Sequence, residues 1–114
     1  MKHDIITCCG DILREIADIE EFMQGCTTFA EFQSNTMRKK AVLHCLIVIG
    51  EAANRMRKID PQIAIQYIHN ILGLRNHLTH AYDAIDDAVI YGVVVKHLPP
   101  LKQEIFTLMN TKQV

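Results

Sequence analysis

The chain has 114 residues, of which 49% are hydrophobic, and a formal net charge of -1 at pH 7. This length suits one domain over residues 1–114, and the charge argues against a protein that holds nucleic acid mainly by overall positive charge. Basic clusters at residues 38–40 and 55–58 could contact phosphates, although a solvated surface is the favoured interpretation. The high apolar content favours a homodimer in which a second copy covers apolar surface.

The sequence shows no export signal and no zinc-binding cysteine pattern, which indicates a cytoplasmic protein. Residues 1–4 lead into charged sequence and not into the apolar core of an export signal. The longest apolar stretch, residues 41–49, is far shorter than the roughly 20 residues that a membrane-spanning helix needs. Four cysteines, at positions 8, 9, 26 and 45, follow no zinc-binding spacing. Reduced thiols are therefore the simplest interpretation.

Apolar spacing predicts helices along the first half of the chain. Six apolar residues recur at intervals of three and four, which is typical of a long amphipathic helix. They are Ile5, Cys9, Ile12, Ile16, Ile19 and Met23. Gly25 is expected to end this helix, and Thr28 and Glu31 have the capping-box spacing of a short second helix. Asn35 is the expected cap of the next helix, residues 37–56, which should be the most buried element.

Helix caps and prolines divide the second half of the chain. Asp60-Pro61 has the order of an N-cap and a first helical residue, which predicts another helical stretch. A break and a new cap are expected within residues 83–87. Residues 88–97 then suit a helix, although residues 93–95 alone would suit a strand equally well. Pro99-Pro100 should kink or restart the chain into a terminal helix. Because no hairpin signal occurs, the sequence predicts an all-α, antiparallel up-and-down bundle.

Residues 75–82 carry most of the chemistry in the sequence. On a helix of about 100° per residue, residues 71–85 separate into a core-facing stripe that begins at Ile71 and a polar arc. The arc holds Arg75, Asn76, Thr79, His80 and Tyr82. Asn76 and His80 are one turn apart, so the amide can orient the imidazole. On composition alone, a solvated helix face would account for the same residues.

Arg75-Asn76, followed by His80 and Tyr82, resembles the R-x-x-x-x-H-x-Y signature of the HEPN superfamily, specifically the HepT-like toxins that are paired with a minimal nucleotidyltransferase. Residues 49–53, Ile-Gly-Glu-Ala-Ala, resemble a second segment of that family. Further agreement extends the resemblance over about residues 40–100, and it lies at Pro61, Gly73, Asp83, Ile85-Asp86 and Leu98-Pro99. The family often carries Trp shortly after the proline, whereas this chain contains no Trp and has Tyr67 nearby.

The resemblance implies a HEPN-like bundle that acts as a metal-independent endoribonuclease without a cofactor. In such enzymes the 2'-hydroxyl of RNA attacks the adjacent phosphorus and leaves a 2',3'-cyclic phosphate. His80 is then the expected acid-base catalyst, Arg75 the group that stabilises negative charge, and Asn76 a supporting residue that orients the ring. The family brings the signature helices of two subunits together across a two-fold axis, so a homodimer would complete the site.

The resemblance also implies a regulatory partner. The chain would be the toxin of a type II toxin-antitoxin system, and the cognate nucleotidyltransferase antitoxin would neutralise it by transferring AMP to Tyr82. A tyrosine that packs its ring at a helix end and leaves its hydroxyl in water is the commoner case among proteins in general.

Two other interpretations are compatible with the same residues. The bundle could be catalytically silent and serve only as a binding partner or substrate of the nucleotidyltransferase. His69, His77 and His80 could instead bind a metal ion, but no carboxylate or third ligand follows a recognised spacing. The motifs that bind nucleotide phosphates through glycine-rich loops are absent from the sequence, which argues against the chain being the transferase itself.

Overall fold

The computed structural model of the chain describes residues 2–73 and 86–113. These ranges contain helices and turns but no strand, which confirms the predicted all-α class. The α-helices are α1 (Lys2–Phe22), α2 (Phe29–Gln33), α3 (Thr36–Ile59), α4 (Asp87–Gly92) and α5 (Leu98–Gln113). A 3₁₀ turn spans Gln66–Ile68, residues 69–73 are helical, and a π-helical turn spans Val93–His97. No helix within the described ranges is long and apolar enough to cross a membrane.

Helices α1 and α3 run antiparallel and form the centre of the core. The end of α1 meets the start of α3, where the Arg38 guanidinium donates to the Phe22 carbonyl at 2.8 Å. Farther along the pair, the sulfur atoms of Cys9 and Met56 lie 3.9 Å apart. Helix α5 packs against α1, with Lys102 Nζ 3.0 Å from the Glu20 carboxylate. The antiparallel bundle is thus as predicted.

The predicted apolar stripe of α1 faces the core. Five of its six residues are at most 2% exposed, and Met23 is half-buried. The helix ends at Phe22, and Gly25 follows with a φ of +79°, a left-handed conformation that favours glycine. Arg38 stabilises this end because its guanidinium also donates to the Gln24 carbonyl at 3.2 Å. One of the basic residues considered as a phosphate contact is therefore a helix cap within the chain.

Side-chain caps start α2 and α3 as predicted. The Thr28 hydroxyl accepts from the Glu31 backbone N–H at 3.2 Å. In return, the Glu31 carboxylate accepts from the backbone N–H of Thr27 at 3.4 Å, one residue earlier than in the usual capping box. Asn35 Oδ1 accepts from the Arg38 N–H at 3.0 Å and caps α3. The Asn35 cap and Thr28 cap together fix the sharp reversal between α1 and α3.

The prediction that Asp60 and Pro61 open a helix is wrong. Asp60 instead ends α3, since its N–H donates to the Met56 carbonyl at 2.9 Å. Its carboxylate accepts from the Gln62 N–H at 3.0 Å, and its carbonyl accepts from the Ile63 N–H at 3.1 Å, which closes a turn. An aspartate followed by a proline suits the first two positions of a β-turn as well as a helix start. The next helical residue is Gln66.

The carboxyl-terminal half is helical from Asp87 onward, so the strand alternative for residues 93–95 is excluded. Asp86 caps α4 by accepting from the Ala88 N–H at 2.9 Å. Helix α4 continues into α5 through the π turn, in which the Leu98 N–H donates to the Val93 carbonyl, five residues back. Pro99-Pro100 lacks two N–H donors and crowds the preceding turn, and the wider π turn accommodates both rings. The prolines therefore restart the helix without breaking it.

Candidate functional site

The predicted site residues Arg75, Asn76, His80 and Tyr82 lie outside the described residues, as does His77. Their assignments therefore stay predictions. The structure does describe both flanks of this segment, up to residue 73 and from residue 86 onward.

The flank that precedes the signature is anchored in the core. Ile68 and Ile71 are each 1% exposed, and Leu72 is half-buried against the core. Ile71 is the first residue of the stripe that the sequence predicts to face the core, so its burial agrees with the predicted helical register at this point. The helical residues 69–73 thus enter the signature from a fixed position on the bundle.

Glu104 of α5 fixes the start of this flank. Its carboxylate accepts from the backbone N–H of Gln66 at 2.6 Å and from that of Tyr67 at 3.1 Å. These are the first N–H groups of the 3₁₀ turn, and an N–H at a helix start has no partner within its own helix. A carboxylate supplied by another helix therefore takes the part that an N-cap side chain usually plays.

Asn70 and His97 connect the two flanks of the signature. Asn70 Nδ2 lies 2.7 Å from His97 Nε2, across 27 residues of sequence. His97 is the last residue of the π turn, and its ring is half-buried. The amide donates to Nε2 when the ring carries its proton on Nδ1, so this contact favours that tautomer.

Two adjoining grooves run along this flank. One has a volume of about 430 Å³ and is lined by residues 61, 63–66, 68 and 69 together with Arg57 and Glu104. The other has a volume of about 250 Å³ and is lined by Gln66, Tyr67, His69, Asn70 and His97. Because Gln66 and His69 line both, the two grooves are neighbours on the flank that precedes Arg75 in the sequence.

One group of possible metal ligands occurs within the described ranges, and none of its residues belongs to the signature. Donor atoms of Glu15, Asp18 and Cys45 are all within 4.8 Å of one another, between α1 and α3. Burial and the neighbouring Glu15 carboxylate raise the pKa of the Cys45 thiol to about 12. Without a metal ion the thiol is thus protonated at neutral pH, and a metal would have to displace this proton in order to bind the sulfur. Of the histidines considered as ligands, His69 is exposed, and the others lie outside the described residues.

The sequence analysis did not identify Glu104, Asn70 or His97 as parts of this region. Each acts across at least 27 residues, so no local spacing pattern relates the partners. Pro99-Pro100 was the available signal, because a proline pair inside a helix indicates that the preceding turn must be distorted.

Comparisons with known proteins agree with the resemblance seen in the signature. The family model "Ribonuclease HepT-like" matches residues 12–108. A candidate RNase of Methanocaldococcus jannaschii is 32% identical over 108 residues, covering 91% of this chain and 95% of the relative. A second candidate RNase from that organism is 34% identical over 107 residues, covering 90% of this chain and 89% of the relative.

A similar protein also occurs in another archaeal source. The "Probable ribonuclease HepT" of Thermococcus cleftensis is 31% identical over 106 residues, covering 90% of this chain and 93% of the relative. No solved structure matches the chain significantly. The family match spans the bundle, both described flanks and the signature between them, so the chain belongs to the HepT-like ribonuclease family and is an endoribonuclease of that class.

Proposed function

We propose that the chain is the toxin of a type II toxin-antitoxin pair and cleaves RNA without a metal ion, using Arg75 and His80. The observation that carries the proposal is the family match over residues 12–108, which includes the complete Arg75, His80 and Tyr82 signature. The buried Ile71 supports it, because a core-facing stripe that starts there leaves Arg75 and His80 in the polar arc of the predicted helix.

The chemistry of RNA cleavage assigns a role to each side chain. A proton must leave the attacking 2'-hydroxyl, another must reach the departing 5'-oxygen, and the phosphorane between them gains negative charge. The His80 imidazole accepts or donates the proton, since histidine changes its charge near neutral pH. The Arg75 guanidinium is always charged and binds two phosphate oxygens with its planar fork. Asn76, four residues before His80, orients the ring.

A single chain has one imidazole and one guanidinium in the signature arc, so His80 alone would have to carry out both proton transfers. We propose that a homodimer places two copies of the signature at one cleft, which supplies a second His80 and a second Arg75. The described part of each chain offers apolar surface for such a contact. Its large exposed apolar side chains are Phe22, Met37, Val89, Val95 and Phe106.

Regulation is proposed to occur at Tyr82. The partner, a minimal nucleotidyltransferase, would transfer AMP from ATP to the phenolic oxygen, which loses its proton while pyrophosphate leaves. The added phosphodiester is an anion two residues beyond His80, and it would compete with the RNA phosphate for Arg75. The same modification adds a bulky base where the substrate strand must pass.

Cleavage by point variants in the presence of a chelator tests the catalytic assignment. General acid-base catalysis is typically worth about 10² to 10⁴ in rate, so we expect His80→Ala and Arg75→Ala each to lower the cleavage rate by at least about 100-fold. Both should keep the helical circular dichroism of the parent. The products of the parent should carry 2',3'-cyclic phosphate ends.

His44→Ala is the matched control, because His44 is exposed on α3 and lines neither groove. It should cleave RNA at the parental rate. Undiminished cleavage by both signature variants would refute the assignment. A parent chain that cleaves no RNA, yet is modified by the partner, would instead favour the silent binding module.

A further inference from the structure

The smaller groove has the size of a subsite for part of a ligand. Its volume is about 250 Å³, whereas pockets for drug-sized molecules usually measure about 300–1,000 Å³. It adjoins the larger groove, with which it shares the lining residues Gln66 and His69. A chain-like ligand could place one flat unit in the smaller groove and continue into the larger one.

The side chains in the smaller groove suit a nucleobase. Tyr67, His69 and His97 offer flat rings for stacking, which contributes to the recognition of unpaired bases in RNA. The amides of Gln66 and Asn70 offer donors and acceptors for the edge of a base. Among the described side chains that line this groove, none is a carboxylate, and the larger groove is lined by one cation, Arg57, and one carboxylate, Glu104.

Several contacts hold these side chains in place before any ligand arrives. The Glu104 carboxylate fixes the backbone of Gln66 and Tyr67, and the Asn70 to His97 contact joins the two walls of the groove at 2.7 Å. His97 ends the π turn, and turns of this kind occur frequently at functional sites. Preorganised groups bind more tightly, because less conformational entropy is lost on binding.

The groove also lies close to the signature along the chain. Asn70 precedes Arg75 by five residues, and five residues span at most about 18 Å even when fully extended. Whatever path the intervening chain takes, the groove is therefore within a few nucleotides of the Arg75 backbone. A base bound in the groove would fix which phosphate of the strand reaches Arg75.

We infer that the groove lined by Tyr67, His69, Asn70 and His97 binds one unpaired nucleobase of the RNA substrate and selects the cleavage position. This inference rests on the proposed ribonuclease function. Asn70 and His97 read the edge of the base as a pair, and the rings of Tyr67 and His69 hold its face.

Binding of uncleavable RNA tests the subsite separately from catalysis. The probes are four single-stranded hexamers, of A, C, G or U, with 2'-O-methyl riboses that lack the attacking hydroxyl. In a His80→Ala background, we expect a preference for at least one of the four bases. Asn70→Ala and His97→Ala should each weaken the preferred hexamer about tenfold and make the four affinities more equal, since an edge contact supplies discrimination.

The double variant shows whether Asn70 and His97 bind the base together or through two independent contacts. Asn70→Ala combined with His97→Ala should bind little worse than either single variant, because each one already disrupts the shared contact. His44→Ala, on exposed surface outside both grooves, should keep the parental affinities. Loss of the base preference at an unchanged melting temperature separates recognition from a general loss of structure.

The outcomes separate the subsite from the catalytic proposal. If the parent cleaves RNA and the groove variants keep its affinities and cleavage positions, the subsite alone is refuted. If the groove variants lose binding but the parent cleaves no RNA, the subsite stands and the proposed function falls. As a measurement without substitutions, the ¹⁵N signals of the His97 ring should shift when the preferred hexamer is titrated, and an unperturbed ring would overturn the subsite.

Discussion

Each cysteine has a burial and a charge environment of its own, although all four thiols are free. Cys8, Cys9 and Cys45 are buried, whereas Cys26 is partly exposed. Burial, together with the adjacent Cys8, raises the pKa of the Cys9 thiol to about 11. Burial also raises the pKa of Cys45, to about 12. A thiol must become a thiolate to react as a nucleophile. Burial therefore makes Cys9 and Cys45 unreactive in two ways, because reagents cannot reach them and because few of these thiols ionise.

We therefore expect a single fast-reacting thiol when the folded chain meets an aromatic disulfide reagent at pH 8. Cys26 should react at least about 100-fold faster than Cys9 and Cys45, since their raised pKa values leave few thiolates. Cys26→Ser should remove the fast phase, and denaturant should make the buried thiols reactive. Equal rates for Cys26 and Cys45 in the folded chain would contradict the described packing.

Tyr82 gives a second prediction for a single residue. Tyr82→Phe removes only the phenolic oxygen, so the toxin should still cleave RNA but should no longer accept AMP from the partner. Mass spectrometry of the peptide that contains Tyr82, after co-expression with the partner, measures the modification directly. If the partner still silences the Phe variant, neutralisation proceeds by another route. Tyr91→Phe, which changes a tyrosine in α4 instead, should remain sensitive to the partner.

Among the structural elements, the short 3₁₀ turn before the signature depends on α5. The Glu104 carboxylate is the acceptor for two N–H groups at its start, and Ile68 holds its other side in the core. By contrast, Thr28, Asn35 and Asp86 cap their own helices from within two or three residues. The signature is thus preceded by an element whose position follows from tertiary contacts.

Replacing Glu104 should release this element. Glu104→Ala leaves two N–H groups without their acceptor. A hydrogen bond to a charged group contributes about 1.5–3 kcal/mol to the free energy of unfolding. We expect the free energy of unfolding in urea to fall by about 2 kcal/mol. Amide hydrogen exchange at Gln66 and Tyr67 should accelerate, because both donors lose their partner.

Glu20→Ala is the control for Glu104→Ala, since Glu20 pairs with Lys102 at 3.0 Å with both side chains at least half exposed. Surface pairs of this kind contribute at most about 1 kcal/mol, so stability should change little. Slow exchange at Gln66 and Tyr67 in Glu104→Ala would show that other contacts hold the turn.

At the scale of the whole molecule, α1 and α3 supply most of the buried apolar residues that the structure describes, and α5 completes the core. Phe32 of α2 is fully buried and packs on Tyr91 of α4 with ring centroids 5.5 Å apart, so even the shortest helix contributes to the core. Large apolar side chains at five described positions remain exposed, from Met37 at 82% to Phe22 at 39%. A second copy of the chain would remove some of this surface from water.

The proposed composite site makes activity depend on concentration. We expect sedimentation to give twice the mass of one chain, and we expect specific cleavage activity to fall on dilution over the same range in which the dimer dissociates. The physical reason is that a monomer would hold only one His80 and one Arg75. A monomer that retains full activity per chain would refute the shared cleft. The roles of His80 and Arg75 would still be tested separately, by the variants at those two residues.

The sequence by itself determined the helices, most of their caps and the family. Contacts within four residues are described well by spacing patterns. Such contacts form helix α1 and the caps at Thr28, Asn35 and Asp86. Asp60-Pro61 shows the limit, because one dipeptide satisfies the local rules of both a helix start and a turn. The signature assignments stay predictions, since Arg75, Asn76, His80 and Tyr82 lie beyond the part of the chain that the structure describes.

Only the tertiary structure decided how the flanks of the signature are held. Glu104 reaches the 3₁₀ turn, Asn70 meets His97, and Arg38 caps the end of α1, each across at least 14 residues. No periodicity within one helix encodes such partners, because they meet only after the packing of several helices has fixed their relative positions. The groove formed by residues 66, 67, 69 and 70 and by His97 is a product of that packing, and for this reason it emerged from the structure and not from the order of the residues.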